Sequence, residues 1–112
     1  MNLYHIWANL KPGVKDLDFV DAVHAYLGYI QKQGHIRSYR ITRRKFGFGP
    51  QSLGEFHINI LVRDLAQLEN AFNVIARRDG EIEDLHRKVY SAVTDFKAAL
   101  YRDFPDPVRV RS

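Results

Sequence analysis

Residues 3–10, LYHIWANL, decide the fold, because their side chains alternate between two faces of an extended chain. One face carries Tyr4, Ile6, Ala8 and Leu10, and the other carries Leu3, His5, Trp7 and Asn9. A period of two with aromatic and branched residues predicts a β-strand. Pro12 and Gly13 follow in the sequence and favour a turn that ends this strand.

Residues 55–63, EFHINILVR, repeat the same alternation. Phe56, Ile58, Ile60 and Val62 form an apolar face, and His57, Asn59, Leu61 and Arg63 form the opposite one. A strand over about residues 35–46 precedes it, followed by a loop over FGFGPQSLG at residues 46–54, which has three glycines and a proline.

Apolar side chains at helical spacing predict three helices. Asp16 or Asp18 is the expected cap of the first helix, which ends near Gly34, and Asp64 is the expected cap of the second. A third helix follows the break at residues 79–80, and its apolar face carries Ile82, Leu85, Val89, Val93, Phe96 and Leu100. The tail alternates again, so a short last strand over residues 106–111 is left open.

This order of elements predicts one α+β domain over residues 1–112, with a ferredoxin-like split βαβ arrangement and an antiparallel sheet. The C-terminal helix is additional to that arrangement. The first and third strands are adjacent in such a sheet, and the helices cover their more apolar faces. The open face then carries Leu3, His5, Trp7, Asn9, His57, Asn59, Leu61 and Arg63. Exposed Trp7 and Leu61 indicate that something covers this face.

The composition excludes several classes of protein. Among 112 residues there is no cysteine, so disulfides, thiolate metal sites and cysteine nucleophiles are ruled out. The start of the sequence lacks the pattern of a signal peptide, and no apolar run is long enough for a membrane span. We therefore expect a cytoplasmic protein that has no membrane partner.

A basic stretch, RRKFGFGP at residues 43–50, resembles the aromatic octapeptide of the RNA recognition motif. In that family the octapeptide lies on the third strand, where its aromatic side chains stack on bases. Here it ends the second strand, and Trp7 is the one large stacking side chain on the open face. RNA binding through the basic second strand and Trp7 is therefore an alternative that the sequence does not favour.

The element order and the apolar open face over residues 2–100 resemble the dimeric ferredoxin-like proteins, or dimeric α+β barrels. Members of that group include cofactor-free and haem-degrading monooxygenases and many uncharacterised proteins. The resemblance implies a homodimer that packs the open sheet faces together and encloses a cavity between the sheets. A small, largely apolar ligand is the expected occupant, and a purely structural dimer is the alternative.

The open face supplies candidate functional residues, although the sequence does not decide whether the protein is an enzyme. His5 and His57 could act as general acid or base, or hydrogen-bond across the interface. Two histidines without a carboxylate fall short of a zinc site, so no metal or cofactor is predicted. The candidate substrate-binding residues are Trp7 for stacking, Asn9 and Asn59 for a carbonyl, Leu61, and Arg63 for an acidic group. His24 and His86, on helices, are interpreted as surface or packing residues.

Overall fold

Four strands form one antiparallel sheet in the computed structural model, which describes residues 1–106. The elements in chain order are β1 (Asn2–Leu10), α1 (Asp16–Lys32), β2 (Ser38–Arg43), β3 (Phe56–Val62), α2 (Leu65–Ala76), α3 (Gly80–Tyr90) and β4 (Val93–Arg102). The strand order across the sheet is β2-β3-β1-β4. This is the split βαβ arrangement, so the predicted α+β fold class is confirmed.

The core lies between α1, α2 and one face of the sheet. Burial alternates strictly along β3, where Phe56, Ile58, Ile60 and Val62 are buried. Phe19 and Val23 of α1 are 1% and 0% exposed. Each fully buried side chain of this size contributes about 1.5–3 kcal/mol through removal of apolar surface from water.

The first turn of α1 is not capped as predicted. Its N-cap is Lys15, whose side chain makes no capping hydrogen bond, and Asp16 instead accepts from the amide of Leu17 at 2.7 Å. The α2 cap is confirmed, because Oδ1 of Asp64 accepts from the amide of Gln67 at 2.8 Å. The hydrogen bond of Asp64 fixes where α2 begins.

The predicted third helix through Leu100 is wrong beyond Tyr90. Residues 93–102 form β4 instead, which pairs antiparallel with the outer edge of β1. The register shifts between Trp7 and Asn9, and Asp95 adopts a φ of 57° there. Such a bulge breaks the period of two and leaves Val93, Phe96 and Leu100 at a spacing that also suits a helix. The predicted short strand at residues 106–111 runs from Asp106 into residues outside those described.

The second strand is shorter than predicted, and its pairing settles which side chains join the open face. Tyr39 lies opposite Ile60 and therefore points to the helices, whereas Arg40 lies opposite Asn59 on the open face. None of the helices within residues 1–106 has the length and apolarity that crossing a bilayer requires.

Candidate functional site

The open face is a four-strand surface on which most of the predicted site residues meet. Pairing aligns them in three cross-strand rows: Ser38, Leu61, Leu3 and Tyr101; Arg40, Asn59, His5 and Ala99; and Thr42, His57, Trp7 and Lys97. The structure thus brings His5, His57, Trp7, Asn59 and Leu61 together.

His5 and His57 form a hydrogen-bonded pair at the centre of this surface. Nδ1 of His5 lies 2.8 Å from Nε2 of His57, and the ring planes differ by 2°. This short contact between nearly parallel rings means that they meet edge to edge. Nδ1 of His57 lies 3.2 Å from the hydroxyl of Thr42, and the Trp7 ring lies 5.0 Å from the His57 ring. One imidazole of the pair must accept while the other donates, so the two rings cannot both be protonated.

The pair predicts a pH dependence of stability. Burial lowers the pKa of His57 from 6.5, and the nearby charge of His5 lowers it further. The unfolded chain therefore binds a proton more readily, so the free energy of unfolding rises with pH from the lowered pKa up to about 6.5. Burial also lowers the pKa of His86, which adds a slope of the same sign.

We expect His57→Gln to flatten this slope in part, because it removes one of the two titrating groups. Urea unfolding followed by circular dichroism between about pH 5 and pH 7.5 measures the slope. An unchanged slope in the variant would show that His57 titrates alike in the folded and unfolded chains.

Asn9 and Arg63 lie away from the histidine pair. Oδ1 of Asn9 accepts from the amide of Glu55 at 2.8 Å, and its Nδ2 donates to Asp95 at 3.0 Å. Asn9 thus links the start of β3 to the bulge of β4. Arg63 follows the end of β3, is exposed, and lies 3.4 Å from the carboxylate of Asp64.

Asn59, in contrast, carries an unsatisfied group. Its side-chain oxygen is buried and finds no hydrogen-bond partner within residues 1–106. A buried acceptor left unpaired costs about 1–3 kcal/mol. A hydrogen-bond donor from outside the chain could therefore bind to this oxygen.

The aromatic pair of residues 43–50 lies in a loop and not on the sheet. Phe46 and Phe48 are 83% and 81% exposed in the connection between β2 and β3. Arg43 is paired with Asp16 and Glu55, at 3.0 Å and 2.6 Å. These phenylalanines therefore do not extend a stacking surface around Trp7.

A cavity of about 240 Å³ lies on the other face of the sheet, between the sheet and the three helices. Apolar and aromatic side chains form most of its wall, among them Tyr4, Ile6, Tyr26, Phe72, His86, Val89, Tyr90 and Phe96. It opens to the surface where Phe72, Tyr90 and Phe96 are 45%, 37% and 57% exposed.

Polar side chains of the cavity wall, His86 and Tyr90, lie next to a buried carboxylate that is outside the wall. Glu83 of α3 is buried, and its Oε1 accepts a hydrogen bond from the hydroxyl of Tyr90 at 3.0 Å. Nδ1 of His86 lies 3.8 Å from Oε2 of the same carboxylate. The Tyr26 ring stacks on His86 with centroids 5.0 Å apart. Burial raises the pKa of Tyr26, with a further contribution from the charge of Glu83, whereas burial lowers the pKa of His86.

Within residues 1–106, histidine, aspartate and glutamate side chains form no group of three or more that could hold a metal ion.

Residues 1–112 match the model of a family of unknown function, DUF6614. The chain belongs to this family. No curated protein matches the DUF6614 chain.

Solved structures share the fold of this DUF6614 protein. An Arabidopsis thaliana protein has a TM-score of 0.73 at 9% identity, with 95% of this chain and 98% of that chain covered. A dimeric ferredoxin-like protein of unknown function from Jannaschia sp. CCS1 has a TM-score of 0.62 at 11% identity, with 92% of this chain and 100% of that chain covered. An antibiotic biosynthesis monooxygenase has a TM-score of 0.61 at 14% identity, with 94% of this chain and 100% of that chain covered. The resemblance to dimeric ferredoxin-like proteins is confirmed, and at these identities it concerns the fold alone.

Sequence reasoning missed the helix-side cavity of the DUF6614 protein. Its position on a helix predicts His86 to be a surface or packing residue, and no role is predicted for Glu83. The available signal was their spacing, because Glu83, His86 and Tyr90 fall on one face of a helix at intervals of three and four residues. Nothing in that spacing predicted that the face would border a cavity.

Proposed function

We propose that this protein forms a homodimer through its open sheet face and binds a small, mostly apolar molecule in the helix-side cavity of each subunit. The observation that carries the proposal is the apolar cavity of about 240 Å³ with an opening at Phe72 and Phe96. Small-molecule sites are concave, mostly apolar and furnished with a few polar groups. This cavity has that composition.

The size of the cavity supports a ligand. An apolar cavity of about 150 Å³ accommodates benzene, so 240 Å³ suits a compound with one aromatic ring and short substituents. A ligand that fills the cavity would remove its apolar wall from water, which is favourable.

The open face supports the homodimer. Leu3, Trp7 and Leu61 are only partly buried, and Tyr101 beside them is 58% exposed. An isologous interface would cover this surface in both subunits and could bring a partner to the oxygen of Asn59. Several proteins of the same fold are described as dimeric, including the one from Jannaschia sp. CCS1.

A second candidate site is the space between two sheets in such a dimer. The His5–His57 hydrogen bond of 2.8 Å favours it, because the pair offers both a donor and an acceptor. His5 and His57 as acid and base, with Trp7, Asn59 and Leu61 as binding residues, stay predictions for that site. Asn9 and Arg63 have less room to contribute, since both already contact neighbours within the chain.

Toluene binding tests the helix-side cavity, with methyl NMR shifts as the readout. We expect the largest shifts at Ile75, Val89 and Val93, which line the cavity. Ala71→Leu should weaken binding by at least about tenfold, because Ala71 is 3% exposed and its added carbons fill the cavity.

Ala66→Leu is the matched control, since Ala66 is an exposed residue of the same helix and should leave binding unchanged. Shifts confined to Leu3 and Leu61 would move the site to the space between the sheets. Saturating toluene without shifts on either face would contradict the proposal.

A further inference from the structure

Glu83 and His86 lie within one turn of α3, and each has a buried polar atom without a hydrogen-bond partner among residues 1–106. The Glu83 side chain is 8% exposed and that of His86 22% exposed. Oε2 of Glu83 and Nδ1 of His86 are both buried without a hydrogen-bond partner among residues 1–106, and they lie 3.8 Å from each other. Two unpaired buried groups this close together are costly unless they act together, and the imidazole is the one that lines the cavity.

We propose that Glu83 and His86 form a carboxylate–imidazole pair in which Nε2 of His86 accepts a proton from an acidic hydroxyl of the cavity's ligand. This inference rests on the proposed ligand cavity. His86 is the residue that touches the ligand, and Glu83 acts through it as a positioning residue.

The surroundings of Glu83 direct its free oxygen toward His86. Oε1 accepts from Tyr90 at 3.0 Å and lies 4.0 Å from Arg78 and 3.7 Å from Arg87. Oε2 is left to face the imidazole. A carboxylate only accepts hydrogen bonds, so it favours the tautomer that carries the proton on Nδ1. The separation of 3.8 Å between Oε2 and Nδ1 is within ion-pair distance.

The same arrangement leaves Nε2 as a base. Tyr26 stacks on one side of the ring and Tyr90 meets it edge-on at 4.8 Å, so both hold the imidazole in place. No side chain among residues 1–106 hydrogen-bonds to Nε2 of His86. Burial lowers the pKa of His86, so the ring is neutral near pH 7 and its Nε2 lone pair is available.

The chemistry of the cavity defines the ligand class. An apolar wall favours a molecule that enters uncharged, which disfavours a carboxylate because of its desolvation cost. A phenol or an enol meets both requirements, since it is neutral in water near pH 7 and still gives up a proton. The proton moves from the ligand oxygen to Nε2, and the bonding electron pair stays on that oxygen. The carboxylate of Glu83 then stabilises the imidazolium.

Nitrogen NMR of the histidine rings tests the pair without any ligand. We expect the neutral His86 ring to carry its proton on Nδ1, with the signal assigned by its loss in His86→Asn. Glu83→Ala should remove this preference while His24, an exposed helical histidine hydrogen-bonded to Tyr39, keeps its spectrum. A wild-type ring protonated on Nε2 would overturn the proposal, because no base would then face the cavity.

Absorbance of 4-nitrophenol tests the proton transfer, since the phenolate absorbs at longer wavelength than the phenol. At a pH where the free probe is mostly protonated, binding to the wild type should raise the ratio of phenolate to phenol. We expect that ratio to be about tenfold higher than with His86→Phe, which corresponds to one unit of pKa. The ratio of phenolate to phenol on Glu83→Gln should fall between the ratios on the wild type and on His86→Phe.

Different failures have different meanings in this experiment. A bound probe that stays neutral on the wild type, or ionises equally on His86→Phe, would overturn the role of His86. Toluene binding without 4-nitrophenol binding would also overturn it, since the hydroxyl would have no acceptor. Failure of both probes would contradict the ligand cavity itself, and a ring protonated on Nδ1 would then still support the Glu83–His86 pair.

Discussion

Replacing Trp7 with glutamate should halve the solution mass of the protein, because the wild type is expected to be a dimer and the variant a monomer. Trp7 lies in the third row of the open face, between His57 and Lys97. In an isologous interface near the two-fold axis, each new carboxylate would be buried close to its own copy. Removing such charges from water costs several kcal/mol per ion, so we expect dimerisation to weaken by at least about a hundredfold.

The fold of the chain should survive this substitution. Lys97 is the direct cross-strand neighbour of position 7, so it can pair with the new carboxylate in the monomer. Light scattering at several protein concentrations measures the mass, and circular dichroism reports the fold. The monomeric variant should still bind toluene, because the helix-side cavity lies within one chain. Loss of toluene binding on dissociation would instead place the ligand between the sheets.

Leu17→Glu is the matched control for the open face. Leu17 is 74% exposed on α1, on the helix side of the molecule, so a charge there should leave the dimer intact. A wild type that stays monomeric at every concentration would contradict the proposed homodimer. The open face would then be available to another partner, and RNA would be the next candidate to test.

The two central strands were predictable because their information is local. Alternation in residues 3–10 and 55–63 assigns each side chain to a face, and antiparallel pairing then brings His5 next to Asn59 and Trp7 next to His57. A shift of one residue would move every buried side chain of β3 to the open face. The hydrophobic pattern therefore predicts which side chains share the open face.

The fourth strand was not predictable in the same way. Its bulge at Asp95 breaks the alternation, and the free edge of β1 supplies the hydrogen-bonding partners that make residues 93–102 extended. That requirement comes from the rest of the sheet and not from the segment itself. The cavity could not be predicted either, because its wall depends on residues 93–102 forming a strand. Its wall includes Phe96 and Val93 of β4, so a helix running to Leu100 could not have revealed it.

Gly54→Ala should cause a large loss of stability, for a reason that the loop pattern did not show. A Cβ at Gly54 would lie 2.5 Å from the backbone nitrogen and carbonyl carbon of Ala8. Backbone cannot move aside as a side-chain tip can, so β3 would have to separate from β1. The shift would also disturb the hydrogen bond between Asn9 and the amide of Glu55. We expect the free energy of unfolding to fall by about 3 kcal/mol.

Gly28→Ala is the control that separates close packing from the general effect of replacing glycine. Gly28 lies in the interior of α1, where an added Cβ meets only the Tyr39 hydroxyl, at 3.8 Å. Alanine there should raise the free energy of unfolding by about 0.5–1 kcal/mol, since it reduces the entropy of the unfolded chain. Urea unfolding at matched protein concentrations measures both variants, because the proposed dimer formation would add to the apparent stability. A Gly54→Ala protein within about 1 kcal/mol of the wild type would show that β1 and β3 can separate at little cost.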